Sequence, residues 1–463
     1  MTHCSSENSF LTDLLRAGRE WLFAHRHSHS KLITTFSPNI IFNHIKNKTT
    51  MLLGKYSFGT GDRFAQQGEA QLRALMKASQ EIGTDIVPVW NKSNREHQIV
   101  GSTPAAVRRE AEDAVTALGY GGQWFTDADH INMSNVDKFI DDSDFFTIDV
   151  ADFIGKPEAD DAVEAFIERS LKAAAELKLP VDASEANLRR VAANYLYAVR
   201  EAGRIYRHIE ERKGHGRFVA EVSMDEAAAS QSPADFIFIL RELALEGVEV
   251  QTIAPRFHGS FHKGVDYVGD VGVFAIQFEE YMQAIDLAVE RFGLPPSLKL
   301  SIHSGSDKFS LYPVIGSISK RYGRGFHLKT AGTTWLEEVI GLAMTEEAEA
   351  VRLVKLIYSQ AVERCDELCL PYSTVIDIKP EGLPTPSEVN SRSGRQIAAA
   401  LRHIPGHPEY NPDMRQLVHV AYKIAAENMD AYLAALHRNA LAVGLEVEAN
   451  IYDRHLRRLF DLP

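Results

Sequence analysis

The sequence predicts a (β/α)8 barrel with a helical insertion after its fourth strand and a helical extension at its C-terminal end. From Met51 onward, eight short β-prone runs alternate with helical stretches, the rhythm of a parallel sheet. The competing doubly wound fold lacks its signature, because GTGDRF (59–64) has neither the third glycine nor the spacing of a dinucleotide fingerprint. Three strings, FTDADH (125–130), FHGSFH (257–262) and SIHSGSDK (301–308), set histidine or carboxylate where apolar runs end. That is where a barrel of this kind assembles an active site.

The elements follow in order. LGKYSFGT (53–60) reads as the first strand, and AQQGEAQLRALMKASQEI (65–82) as the helix behind it. DIVPVW (85–90) is short and β-branched, and PAAVRREAEDAVTAL (104–118) has helical spacing in good helix formers. QWFTDA (123–128) and FFTIDVA (145–151) are the third and fourth strands. Residues 158–213 form an alanine- and glutamate-rich, nearly glycine-free block, enough for two or three helices and more than one crossover needs. Alternation then resumes with strands at RFVAEVS (217–223), VEVQTIA (248–254), LKLSIHS (298–304) and GFHLKTAG (325–332). Such a barrel takes roughly 250 residues. The expected organisation is an N-terminal extension over 1–50, a barrel over 51–335 with its insertion at about 156–214, and a C-terminal helical region over 336–463 packing on the barrel.

Bulk properties narrow the function. The chain has 463 residues, 45% hydrophobic and 24% charged, ordinary for a globular enzyme. A net charge of −13 gives no electrostatic case for nucleic acid or an anionic membrane. No apolar run is long enough to span a bilayer, and charges and histidines interrupt the N-terminus where a signal peptide would be apolar. The cysteines are Cys4, Cys365 and Cys369; the last two are four apart on an apparent helix, where a disulfide would be strained. A reducing cytoplasm is the expected location. HRHSHS (25–30) reads as solvated tail.

Several residues carry candidate chemistry. Asp127 and Asp129 share one face of an extended strand and His130 takes the other, so aspartate and histidine reach one barrel mouth only if the strand ends near Asp129. Otherwise either aspartate serves as a helix cap. His258 and His262 frame a glycine-containing loop, and one of them is expected as a ligand, without a basis for choosing. His303 leaves its strand beside Ser304 and Gly305, positioned for a metal or a substrate oxygen. Glu221 interrupts an otherwise apolar strand, which demands a metal, lysine or arginine partner. Imidazole with carboxylate suits Zn²⁺, Mn²⁺, Ni²⁺ or Fe²⁺ in a site with open positions. GTGDRF, with Arg63, and KTAGTTW (329–335), with Lys329, suit an anion, and NKSNREH (91–97) and NSRSGR (390–395) add polar groups for a polyol.

Taken together, FGTGDR (58–63), TDADHI (126–131), FHGSFHKG (257–264), SIHSGSDKFSLYP (301–313) and HLKTAGTTWLEE (327–338) resemble the tagaturonate/fructuronate epimerase family, related to tagatose and fructose 4-epimerases. The resemblance extends over roughly residues 56–400 and not to the N-terminal 50. It implies a cytoplasmic enzyme with one divalent cation that interconverts D-tagaturonate and D-fructuronate. By the same resemblance the cation ligands are His130, His262 and His303, the proton acceptor is Asp129 and the donor Glu221. Arg63, Lys263, Ser304, Lys308 and Lys329 are the candidates for holding the substrate. The inverted carbon lies one bond beyond the position alpha to the ketone, so two routes compete: direct proton exchange, or retro-aldol cleavage with rotation and rejoining. A metal-dependent aldolase or isomerase on the same barrel, and a non-enzymatic sugar-acid binder, are the other readings. The expected partner is a small sugar acid or ketose, with no nucleic acid or membrane; a homo-oligomer is compatible with the sequence, which leaves its order unread.

Overall fold

The computed structural model describes residues 50–330 and 332–463. HRHSHS, Cys4 and the rest of the N-terminal segment lie outside them. Eight parallel strands close into a barrel in sequence order: β1 (Tyr56–Thr60), β2 (Ile86–Ser93), β3 (Phe125–Ile131), β4 (Phe145–Asp149), β5 (Val219–Ser223), β6 (Val250–Ala254), β7 (Lys299–His303) and β8 (Phe326–Lys329). The barrel expected from the sequence is therefore present. Each strand falls within or beside the run that forecast it.

The period of two along each strand sorts its residues into an interior and an exterior set. Toward the N-terminal end the interior includes an apolar set, in which Val87, Val89, Phe125, Phe145 and Val219 pack with Leu53. Two or four residues further along the same faces stand Asn91, Asp127, Asp129, Thr147 and Glu221, with Lys329 at the end of β8, all buried. β1 makes room for that polar layer with Gly59, where an added Cβ would lie 2.9 Å from Lys329 Cγ. A glycine is required there by close approach.

Between β4 and β5 run the helices Asp160–Leu177, Glu185–Val191 and Tyr197–Lys213, the last two joined by a π-helical turn. Beyond β8 the chain is helical almost throughout, from Thr333–Met344 to Arg457–Phe460. Val447, Ile451, Tyr452, Leu456 and Leu459 of this region join the core that surrounds the barrel. A second apolar cluster, including Trp335, Tyr358, Leu417 and Tyr422, binds the C-terminal helices to one another. No helix among the described residues is long and apolar enough to cross a membrane. Cys365 and Cys369 are free, with their sulfurs 3.6 Å apart.

Candidate active site

Local backbone geometry on β3 decides how the site is built. The strand does not stop at Asp129 but continues to Ile131, and the expected conflict between neighbouring side chains is resolved otherwise. Pairing with β4 shifts register between Ala128 and Ile131, and His130 takes a left-handed backbone with φ of 52°. This bulge turns His130 to the mouth beside Asp129, with Nε2 3.8 Å from Asp129 Oδ1.

Below it lies a lysine enclosed by acids. Lys329 Nζ is 2.7 Å from Asp127 Oδ2, 2.6 Å from Asp129 Oδ1 and 3.5 Å from Glu221 Oε1, and it also bonds Thr147 Oγ1 at 2.7 Å. Burial disfavours every one of these charges, yet the mutual attraction holds Lys329 above its ordinary range and Glu221 well below the carboxylate range. Asp129 is also opposed by burial, but Lys329 and His130 outweigh it and hold its carboxyl at about 2. Asp127 goes the other way. Burial, with Asp129 and Glu221 nearby, exceeds the help of Lys329 and raises it to about 7.

At the mouth, His130, Asp225 and His303 bring one ligand atom each within 4.8 Å of one another. The two imidazole rings meet edge to face with centroids 5.2 Å apart. His303 Nε2 lies 2.7 Å from Glu221 Oε1, and His130 Nδ1 lies 3.1 Å from Asp149 Oδ2. Each ring thus has one nitrogen fixed by a carboxylate, as in carboxylate–histidine–metal arrangements. His303 Nδ1 is 3.1 Å from Asp225 Oδ2, but it is buried and makes no hydrogen bond among the described residues. Two donor atoms this close without a bond between them suit a shared third partner. Burial lowers the His303 pKa, but Asp225 and Glu221 overcome it and raise the imidazole to about 9. The mouth therefore favours positive charge, and the donor set fits a divalent cation.

The cavity over this group has a volume of about 110 Å³. Asn91, Asp129, Lys329 and the three mouth residues line it, with Glu226, Arg256, His262, Lys263 and, from the C-terminal region, Thr374 and Val375.

The residues named from sequence separate accordingly. Asp129, His130, His262, Lys263, His303 and Lys329 share this cavity, and Glu221 lies just beneath it on His303. His262 lies on the wall and is not among the three clustered ligand atoms; Asp225 is there. Of the two loop histidines, His262 lines the cavity, whereas His258 is exposed and absent from the lining. Arg63 sits elsewhere, paired with Glu96 at 3.1 Å, bonded to His419 O at 2.9 Å and stacked 4.0 Å over Tyr422. Ser304 Oγ donates to Lys329 O at 2.7 Å, and Lys308 Nζ to backbone carbonyls. Those donors are already engaged, so Arg63, Ser304 and Lys308 do not present free groups to the cavity. Asp225, Asp149 and Arg256 were not singled out from sequence. Each lies at or just past a strand end, the one signal that could have drawn attention to it.

The chain compares closely with known proteins. Residues 34–461 match the profile of the family described as tagaturonate epimerase. The tagaturonate/fructuronate epimerase of Thermotoga maritima is 30% identical over 422 residues, covering 88% of this chain and 80% of that one. A glycerol-complexed crystal structure of the fructuronate-tagaturonate epimerase of Cohnella laeviribosi is 24% identical with a TM-score of 0.71, covering 89% of this chain and 82% of that one. The native structure of that enzyme is 25% identical with a TM-score of 0.69, over 89% and 82% of the two chains. The match over nearly the whole length places this chain in the tagaturonate epimerase family.

Proposed function

We propose that this enzyme interconverts D-tagaturonate and D-fructuronate at a site that holds one divalent cation. The observation that carries this reading is the trio of His130, Asp225 and His303, with Glu221 and Asp149 behind the two rings and Asp129 beside them. His130 and His303 form the fixed pair of ligands. Asp225 supplies the third atom in the conformation described, and His262, which also lines the cavity, is the imidazole that would join or replace it when substrate enters. When bound, the cation polarises substrate oxygens and stabilises charge as it develops.

The remaining steps belong to the side chains. Asp129 is ionised over the working pH range and lines the cavity, so it accepts the proton. Glu221 is completely buried and meets the cavity through His303 and Lys329; its role as donor therefore runs through these neighbours. Lys329 spans both carboxylates with one firmly held ammonium, which keeps both ionised in the free enzyme, so Glu221 must take up a proton during the cycle before it donates one. Arg256 and Lys263 line the wall and have no carboxylate partner within ion-pair distance among the described residues; Arg256 Nη1 rests 3.2 Å from Asp225 O. They are the groups left to grip the substrate carboxylate, because Lys329 is spent on acids.

Part of the cavity wall is the coil at 255–264 and 374–375, joined by the bond from Lys263 N to Val375 O. The test is incubation with D-tagaturonate, with and without chelator, followed by separation of the two ketouronates. Formation of D-fructuronate that chelation stops and a divalent ion restores is the expected result; cleavage fragments or an aldose would replace this reading with another. Run in D₂O, the same reaction separates the routes, since deuterium at the inverted carbon marks proton exchange and its absence marks bond cleavage and rejoining.

A further inference from the structure

Buried polar atoms without partners are costly, and each calls for an explanation. Among the described residues that have such atoms, two line the active cavity, His303 and Asn91. The free nitrogen of His303 is accounted for by the cation site. Asn91 has no such account. It is 2% exposed, and neither Nδ2 nor Oδ1 has a hydrogen-bond partner among the described residues. Its position explains why no neighbour serves it. Asn91 occupies the interior face of β2 opposite Asp127 in register, but Asp127 is engaged by Lys329 and Thr147, and Asp129 by Lys329.

We infer that Asn91 is a substrate-binding residue whose amide takes a hydroxyl group of the sugar chain. An amide offers one acceptor and two donors, and a hydroxyl both gives and receives, so one such group satisfies Oδ1 and Nδ2 together. A carboxylate would serve Nδ2 alone. Asn91 stands on β2 beside β3, which carries Asp127 and Asp129, whereas Arg256 and Lys263 follow β6, four strands round the closed barrel. The two ends of the substrate are thereby told apart, and the chain is held in one direction. This inference rests on the sugar-acid reading above.

The test is Asn91→Leu, close in volume and without polar atoms, with Asn91→Ser as a smaller polar companion. Because the native amide is unpaired, removing it should leave Tm equal or raise it, while kcat/KM for D-tagaturonate falls about 100-fold. The decisive readout uses monodeoxy ketouronates. For the analogue lacking the hydroxyl that Asn91 holds, wild type and Asn91→Leu should bind with equal affinity, whereas every other analogue should bind the variant about 100-fold more weakly; affinity is the measure because the analogue deoxygenated at the inverted carbon has no centre to invert. Loss of Tm and activity together in both variants would make Asn91 a structural residue and overturn the inference. An unchanged kcat/KM would overturn it as well. If the wild type itself failed to epimerise tagaturonate, the functional reading would fall instead; calorimetric binding of tagaturonate to wild type and variant would still judge Asn91, with equal affinities counting against it.

Discussion

Lys308, shielded from solvent, donates from Nζ to the carbonyl oxygen of His262 at 2.9 Å and to that of Val265 at 2.7 Å. Between those carbonyls, Gly264 O accepts from Arg415 Nε at 2.7 Å, and Arg415 is in turn fixed by Asp307 at 2.7 Å. Gly264 itself has φ of 82°, which lets the turn point three carbonyls toward two buried basic side chains. With its backbone held on that side, the turn leaves His262 and Lys263 on the cavity wall. Lys308→Met should therefore free the loop: hydrogen exchange over residues 257–268 should quicken and kcat/KM should fall about 10- to 100-fold, with two charged hydrogen bonds lost. An unaltered exchange rate would show the loop to be held by other means.

The carboxylates behind the imidazoles make a separate prediction. Asp149→Asn keeps the shape of the contact to His130 Nδ1 but removes its charge, and should weaken cation affinity about 10- to 100-fold. His303→Ala should go further and leave the purified protein without stoichiometric metal. Paired measurement on Asp225→Ala and His262→Ala assigns the third ligand, because the variant with the larger loss identifies it.

Substrate charge should be read at Arg256. Arg256→Gln is expected to raise KM for tagaturonate about 10- to 100-fold while leaving the KM for a neutral ketose, tagatose or fructose, much less affected. Steady-state kinetics on both substrates decide it. Equal effects would remove Arg256 from the carboxylate.

Stability should carry its own pH signature at the opposite end of the barrel. Lys299 is buried there, and desolvation lowers its ammonium from 10.5 to about 7. Below pH 7 both folded and unfolded chains hold the proton, and the penalty is constant. Between 7 and 10.5 the unfolded chain binds more protons, so this group makes stability rise with pH, by at most about 1.4 kcal/mol per unit. Chemical denaturation of wild type and Lys299→Met across pH 6–10 should show that rise in the difference between them. A flat difference would mean the group titrates normally.

How far the sequence reveals this enzyme varies with the kind of interaction. Strand positions are legible because burial imposes a period of two and β-branched residues fill it, as at Ile86–Val89 and Val219–Val222. Glu221 and His303 are legible for the same reason, as polar interruptions in apolar runs. Lys308 and Arg63 mislead, since a cation near a strand end gives no sign of whether its partner will be a ligand, a carbonyl or a carboxylate from a distant helix. Asp225 and Arg256 are hidden in irregular segments after β5 and β6, where spacing carries no information about direction. His130 lies between these cases: its residue type is conspicuous, but its orientation depends on a backbone angle that no pattern of polarity encodes.

That angle has a consequence for replacement of this residue. An unbroken strand gives adjacent residues opposite sides of the wall, so ordinarily a carboxylate and a neighbouring imidazole could never share one chamber. The kink at position 130 removes that restriction within one peptide unit and costs no added loop. Glycine there would preserve the bend and forfeit the ring, and valine or isoleucine would resist the bend itself. Asparagine tolerates the conformation and keeps a polar tip, which makes His130→Asn the replacement that separates the shape of the wall from the chemistry hung upon it.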